Sequence, residues 1–317
     1  MSTTPLIFGG NSNPLLTRAI CDALGVSQSK ALVSKFSDGE QRIEIFENVR
    51  RREVYVIQST SHPAAEHLME LLLLIDALKR ASADRITAVV PYFGYSRQDR
   101  IRRGERVPIS VGVAARMIVA AGANHVIVME LHSGQTQDAF GVSVDHLYSS
   151  SVLSQHIRNR IQHEGIKDII FISPDAGGLP RARKYAQTFN ARVGFIDKRR
   201  ENPNESEVMN VVAKVDGKVC IIVDDMADTL GTITKAATAL RDKGASNVFA
   251  YCTHPILSGR SLDLLRESNL KLIVTDTIPL SDKARDLGHI EVVSIASVFA
   301  EAITKNCNGG SIQKMFE

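Results

Sequence analysis

The stretch Val219-Cys-Ile-Ile-Val-Asp-Asp-Met-Ala-Asp-Thr-Leu-Gly231, with Thr232 next, decides how this chain is read. Five leading apolar residues make a short strand buried on both faces, as a central parallel strand is. The strand delivers two carboxylates, Asp224 and Asp225, to its carboxyl end. A loop of Asp228, Thr229, Gly231 and Thr232 follows, and then a helix from Ile233 to Lys243, stopped by Gly244. A strand, a small hydroxyl-rich loop and a helix N-terminus together make an anion site, because backbone N–H groups and the helix dipole point at the ligand. Carboxylates repel a phosphate, so Asp224 and Asp225 are read as acceptors for sugar hydroxyls. The loop reads as a holder for a phosphorylated sugar.

Working outward, strand-like and helical runs alternate along the whole chain, which argues for α/β layers around a parallel sheet. The clearest strands are Arg85–Val90, His125–Met129, Asp168–Ile172, Val219–Val223 and Asn247–Tyr251. Helical spacing occupies Glu66–Ser82, Val111–Ala121, Pro180–Asn190 and Ile233–Lys243. Two units match each other: Gly122-Ala-Asn-His-Val126 parallels Gly244-Ala-Ser-Asn-Val248, and His132 parallels His254, both at an offset of 122. Val89-Val90 parallels Ile222-Val223 at an offset of 133, so the first copy carries about eleven extra residues between strand and helix. Duplication of one α/β domain is the reading, with a boundary near Tyr148-Ser-Ser-Ser151.

Composition sets the class. The 317 residues suffice for two domains with their own cores, and 44% are hydrophobic against 23% charged, as in an ordinary globular protein. A net charge of +3 gives no argument for nucleic acid as a partner. Cys21, Cys220, Cys252 and Cys307 lack metal or redox spacing, and Cys220 and Cys252 read as small core residues. The longest apolar run, Leu71 to Ile75, is too short to span a bilayer, and Met1 to Gly10 has no basic leader region. The expected location is cytoplasmic, with no membrane partner.

Other constellations gather chemistry at strand ends. Asp168-Ile-Ile-Phe-Ile-Ser-Pro-Asp175-Ala176-Gly177-Gly178 runs a strand into a tight turn where glycines let backbone approach a ligand and Asp175 can hold a metal bridging phosphates. An ordinary glycine turn is the bland alternative. Glu130-Leu-His132 follows a strand where open α/β sheets bind ligands; His132 is structural, or else serves Mg²⁺ or a polyphosphate. Pro91-Tyr-Phe-Gly-Tyr-Ser-Arg97-Gln98-Asp99-Arg100 offers three aromatics and a cationic loop, which can sandwich a purine or form a solvated charge run. Phe36-Ser-Asp38-Gly39-Glu40 is a turn whose carboxylates can read purine amino groups from a neighbouring subunit. Lys198-Arg199-Arg200 ends a strand with three cations, which call for an anionic partner such as a transferring phosphoryl group.

The acidic pair followed by Asp-Thr-x-Gly-Thr resembles the phosphoribosyl-diphosphate signature shared by type I phosphoribosyltransferases and ribose-phosphate diphosphokinases. With Phe36–Glu40, Pro91–Arg100, Leu131-His132, Ser173–Gly178, Asp197–Arg200 and the tail Ser311–Phe316, the chain is similar nearly throughout to bacterial class I ribose-phosphate diphosphokinases (PRPP synthetases). The resemblance implies an α/β protein of two similar phosphoribosyltransferase-like domains, each a mainly parallel sheet flanked by helices. The first spans 1–149 and the second 150–317, the tail packing back on the first. It further implies a homo-oligomer, a hexamer, with the active site at the domain interface. The implied reaction is Mg²⁺-dependent transfer of the diphosphoryl group of ATP to the 1-hydroxyl of ribose 5-phosphate.

Carried over motif by motif, Lys198 and Arg200 are catalytic. Phe36, Asp38, Gly39, Glu40, Arg97, Gln98, Asp99 and His132 bind ATP. Arg200, Asp224, Asp225, Asp228, Thr229, Leu230, Gly231 and Thr232 bind ribose 5-phosphate. Asp175, Ala176, Gly177 and Gly178 form the diphosphate loop, and His132 and Asp175 hold metal. Three places depart from the family's habit: Asp138-Ala139, where Gly-Phe is usual; Val111-Gly112, where Ala-Lys is usual; and Arg51, where glycine is usual. They bear on subunit contacts and on regulation by phosphate or ADP. Two rivals use the same loop: a PRPP-consuming phosphoribosyltransferase and a non-catalytic regulatory homologue of the synthetase.

Overall fold

Two parallel sheets, each with its strands' apolar residues turned to helices on its faces, organise the chain. The computed structural model describes residues 4–101, 103–199 and 208–316, with backbone alone at 198, 199 and 208. It divides into two compact units, Met1–Ser149 with Thr277–Pro279 and Ser294–Glu317, and Ser150–Asp276 with Leu280–Val293.

The first unit runs β1 (Leu6–Gly9), α1 (Pro14–Leu24), β2 (Ala31–Lys35), β3 (Gln41–Ile45), β4 (Glu53–Ile57), α2 (Ala64–Arg80), β5 (Arg85–Val90), α3 (Ser110–Ala121), β6 (His125–Met129) and β7 (Ser143–Leu147). Five parallel strands stand in the order β1-β4-β5-β6-β7, and β2 and β3 form a separate antiparallel hairpin. In α2 the buried residues Leu68, Leu71, Leu74, Ile75 and Leu78 recur at helical spacing, with Glu66 in the first turn and Lys79 and Arg80 in the last. They meet Val54, Val56, Ile86, Ala88 and Val90, which alternate along β4 and β5.

The second unit runs α4 (Ser150–Glu164), β8 (Ile169–Ser173), α5 (Leu179–Thr188), β9 (Arg192–Arg199), β10 (Val208–Val212), β11 (Val219–Ala227), α6 (Gly231–Asp242), β12 (Asn247–Pro255), α7 (Ser261–Ser268), β13 (Lys271–Thr275), α8 (Asp282–Asp286) and β14 (Ile290–Val293). The sheet order is β10-β9-β8-β11-β12-β13-β14, parallel except for β10. Buried Cys220 and Cys252 sit in its central strands, as small core residues. The connections β5–α3–β6 and β11–α6–β12 repeat one another, and α3 and α6 are each 12 residues long. The surplus of the first copy is the segment before α3.

Two boundaries differ from the sequence expectation. β11 does not stop at Val223: its ladder with β12 continues through Asp224↔Cys252 and Met226↔His254 to Ala227↔Pro255. Pairing with a neighbour outweighs the poor strand propensity of aspartate. Helix α6 opens at Gly231 rather than Ile233, after Leu230 has taken a left-handed φ of 61°.

The last helix, α9 (Ala296–Asn308), follows β14 in sequence yet belongs to the first unit, where it packs on α1. A buried polar cluster anchors it. The Tyr55 hydroxyl donates to Asn306 Oδ1 at 2.8 Å and lies 3.1 Å from Cys307 Sγ. Asn306 Nδ2 approaches Asp145 Oδ2 at 3.4 Å, and Asp145 pairs with His125 Nε2 at 3.2 Å. Burial raises the Tyr55 pKa well above its ordinary value, so the hydroxyl stays a donor.

Tyr55→Phe keeps the ring and removes the donor from the partly buried Asn306 oxygen. It should cost about 1–3 kcal/mol and lower the melting temperature by several degrees in a thermal scan. An unchanged midpoint would mean that α1–α9 packing alone holds the tail.

Candidate active site

At the end of β11 the ladder places Asp224 and Asp225 side by side in the second unit, with Asp225 buried to 5% exposure. The Asp225 N–H donates to Asp224 Oδ1 at 2.9 Å. Arg181, on the first turn of α5, brings its Nη1 to 3.3 Å from Asp224 and 3.4 Å from Asp225. Burial first, and then the charge of Asp225, push the Asp224 carboxyl up to about 8, while Arg181 opposes the rise. Burial and mutual repulsion thus oppose ionisation of both members of the pair, a setting that favours hydroxyl donors or a cation as guests.

Past the strand, Asp228 is half-buried, Thr229 is exposed and Leu230 is buried, before α6 begins at Gly231. Ile233, Ala236, Ala237 and Leu240 bury the inner face of α6, which fixes where its N-terminus lies. Leu230, the residue that caps the helix, has no side-chain oxygen, so the positive end of α6 is not met by its own cap.

The β8–α5 turn carries Asp175, Ala176, Gly177 and Gly178. Asp175 Oδ1 accepts the Gly178 N–H at 2.9 Å, and the Ser173 hydroxyl donates to the Asp175 carbonyl at 2.6 Å. A Cβ at Gly178 would lie 2.7 Å from Ser173 Oγ, so this glycine serves the turn itself, whereas Gly177 has ordinary room. Lys198 extends β9 and pairs in register with Met209 of β10, and its side chain lies outside what is described. Arg200 lies outside the described residues.

In the first unit the Phe36–Glu40 turn is the exposed tip of the β2–β3 hairpin. The Phe36 N–H donates to the Glu40 carbonyl at 2.8 Å, and the Glu40 N–H to Asp38 Oδ1 at 3.1 Å. Gly39 takes φ 96°, which a glycine adopts freely. Arg97 and Gln98 are exposed and Asp99 is half-buried. Of the three aromatics before them only Tyr95 faces out. Tyr92 and Phe93 are buried, Phe93 against Phe140 with ring centroids 5.1 Å apart. The expected aromatic sandwich is therefore reduced to one ring, because the other two fill the core.

His132 is exposed beyond β6, after a turn in which Glu130 takes φ 41°. The Leu131 N–H donates to His146 Nε2 at 2.9 Å, which pins the backbone beside it. Asp138 lies exposed on a 3-10 turn, Gly134–Ala139. Sequence reasoning missed Arg181, which looks like a solvated helix cation. Its only signal was its place three residues after Gly178, on the first turn of a helix.

Among the described residues no three His, Cys, Asp or Glu side chains are gathered as a metal cage. Mg²⁺ does not demand one, since it keeps waters and is commonly held by one or two carboxylates with substrate phosphates. The hard oxygens of Asp175, Asp224 and Asp225, all in one unit, are chemically suited to it.

Comparison with known proteins follows this geometry. Residues 5–122 match the family model described as the N-terminal domain of ribose phosphate pyrophosphokinase, and residues 175–317 match the phosphoribosyl synthetase-associated domain. A ribose-phosphate pyrophosphokinase from Xylella fastidiosa is 50% identical over 98% of this chain and 96% of its own. One from Burkholderia pseudomallei is 46% identical over 98% and 97%. The crystal structure of phosphoribosylpyrophosphate synthetase from Mycobacterium smegmatis superposes with a TM-score of 0.90 at 35% identity, covering 97% of this chain and all of that one.

The raised Asp224 pKa has a consequence for the ligand-free protein. The folded state keeps that proton to a higher pH than the unfolded chain does. The unfolded state therefore binds fewer protons between about pH 4 and about pH 8, and stability should fall as pH rises through that window. Asp224→Asn should flatten the fall in melting temperature between about pH 5 and about pH 8. A slope equal to that of the parent would mean that Asp224 does not titrate there.

Proposed function

The chain belongs to the ribose-phosphate pyrophosphokinase family, transferases of nucleotide biosynthesis, and from that premise we propose how its residues divide the work. The reaction passes the diphosphoryl group of ATP to the 1-hydroxyl of D-ribose 5-phosphate and yields PRPP and AMP. The observation that carries the reading is the β11–α6 junction, where an acidic pair runs into a small loop at a helix N-terminus.

Asp228, Thr229, Leu230, Gly231 and Thr232 hold the 5-phosphate at the positive end of α6. Asp224 and Asp225 accept hydrogen bonds from the ribose hydroxyls, which relieve their crowding. Asp175 to Gly178 hold the diphosphoryl group. Arg97, Gln98, Asp99 and His132 hold ATP. The Phe36, Asp38, Gly39 and Glu40 turn, exposed at a hairpin tip, reaches adenine bound by another copy in a homo-oligomer, a hexamer as in the resemblance. His132 of the first unit and Asp175 of the second would each be available as a ligand to Mg²⁺, which would supply neutralisation of the triphosphate charge.

In the transfer, the anomeric oxygen bonds to the β-phosphorus as the bond from that phosphorus to the α,β-bridging oxygen breaks. AMP departs with that oxygen, and the hydroxyl proton goes to solvent. The anomeric hydroxyl is more acidic than an ordinary alcohol, so positioning and charge stabilisation carry most of the barrier. Lys198 and Arg200 supply that charge, acting on the equatorial oxygens as the bond to the leaving group loosens.

AMP release from ATP that depends on ribose 5-phosphate and Mg²⁺ tests the whole reading. A phosphoribosyltransferase would consume PRPP without releasing AMP, and a regulatory homologue would be inactive alone. Lys198→Ala should lower kcat by about 10²-fold or more without changing the melting temperature; near-normal turnover at saturation would remove Lys198 from the chemistry. Asp228→Ala and Thr232→Val should each raise the KM for ribose 5-phosphate well above any change in that for ATP. Equal shifts in the two constants would indicate general disruption.

A further inference from the structure

The loop that follows β12 touches the sugar-phosphate loop from the neighbouring strand. Ser258 Oγ donates to Asp228 Oδ1 at 2.5 Å. One residue earlier, the Leu257 N–H donates to the Ala227 carbonyl at 2.9 Å. Leu257 takes φ 52° to do so, a left-handed conformation that costs a branched side chain energy, and packs against the core cluster holding Ala227 and Leu230. The β11–β12 ladder, ending at Ala227↔Pro255, places the two loops side by side.

We propose that Ser258 is a positioning residue for ribose 5-phosphate, acting through Asp228. The proposal rests on the reading of the β11–α6 junction given above. A short carboxylate just ahead of a helix is attracted to the helix's positive end, the same place a phosphate needs. A carboxylate turned toward that end would carry its charge into the phosphate position. The Ser258 hydroxyl commits one oxygen of Asp228 to a fixed direction, while the Leu257–Ala227 bond keeps Ser258 within reach. Ser258 itself needs no contact with substrate, and ATP, held by other residues, is insensitive to it.

The test is steady-state kinetics on the full-length protein with Ser258→Ala, Ser258→Thr, Asp228→Ala and the double variant Ser258→Ala/Asp228→Ala, each checked by thermal unfolding. Ser258→Ala should raise the KM for ribose 5-phosphate about tenfold, the size expected of one hydrogen bond to a charged group. The KM for ATP and the melting temperature should stay as in the parent. Ser258→Thr keeps the hydroxyl and should restore the parent value. In the Asp228→Ala background the serine substitution should add nothing, because its target is gone. If Asp228→Ala shifts the ribose 5-phosphate KM and Ser258→Ala does not, the positioning role is overturned alone. An additive double variant also overturns it. If Asp228→Ala itself leaves that KM unchanged, the reading of the loop falls and takes this inference with it.

Discussion

The parallel ladder between β11 and β12 is the constraint on which the candidate site depends. By running four residues past Val223 it uses the backbone of Asp224 to Ala227 for strand pairing and removes their freedom to turn away. Two adjacent carboxylates are then presented at one strand end, Asp225 buried and Asp224 half-buried, both within reach of one Arg181 nitrogen. No isolated loop would keep such a pair together, because each residue would rotate its charge toward water. The sheet forces the crowding, Arg181 relieves part of it, and the remainder makes the site receptive to hydroxyl donors and cations.

A different device serves the equivalent position of the first unit. After β5 the chain is bolted to the loop that follows β4. The Tyr92 N–H donates to Ser59 Oγ at 3.2 Å, the Thr60 N–H to the Tyr92 carbonyl at 2.8 Å, and the Gly94 N–H to Thr60 Oγ1 at 2.6 Å. A Cβ on Gly94 would come within 2.3 Å of the Thr60 carbonyl oxygen, so only glycine permits this approach. The bolted half buries Tyr92 and Phe93, and the half beyond it exposes Tyr95, Arg97 and Gln98. The same strand–loop–helix order thus carries a short acidic loop in one unit and a long cationic one in the other.

These devices were unequally legible in the sequence. Arg85–Val90 and His125–Met129 were read to the residue because both faces of each strand are apolar and the flanks are not. The last part of β11 was missed because the appearance of charge was taken as the end of the strand; hydropathy records burial, and a ladder continues wherever its neighbour offers partners. The burial of Phe93 was invisible because its partner, Phe140, is 47 residues away in sequence. Arg181 and Ser258 were missed for a similar reason. Each acts on an acid that it meets only through the fold, 43 residues from Asp224 and 30 from Asp228.

The three places read in the sequence as departures from the family resemblance sit in settings that tolerate them. Arg51, Val111-Gly112 and Asp138-Ala139 all belong to the first unit. Arg51 takes φ 55°, a conformation glycine adopts without strain, and is held by its N–H bond to the Ser82 carbonyl at 2.9 Å and by the neighbouring Asp84-to-Arg52 bond. A turn pinned on both sides tolerates a side chain that the conformation disfavours, because the strain, of order 1 kcal/mol, is small against the bonds that fix it. Gly112 sits inside the first turn of α3, where a weak helix former does little harm, and Asp138 is on an exposed turn. The β11–α6 junction offers no comparable slack. There a change of side chain alters the charge seen by a bound phosphate or the reach of a carboxylate to a hydroxyl, and backbone bonds elsewhere have no means to restore either.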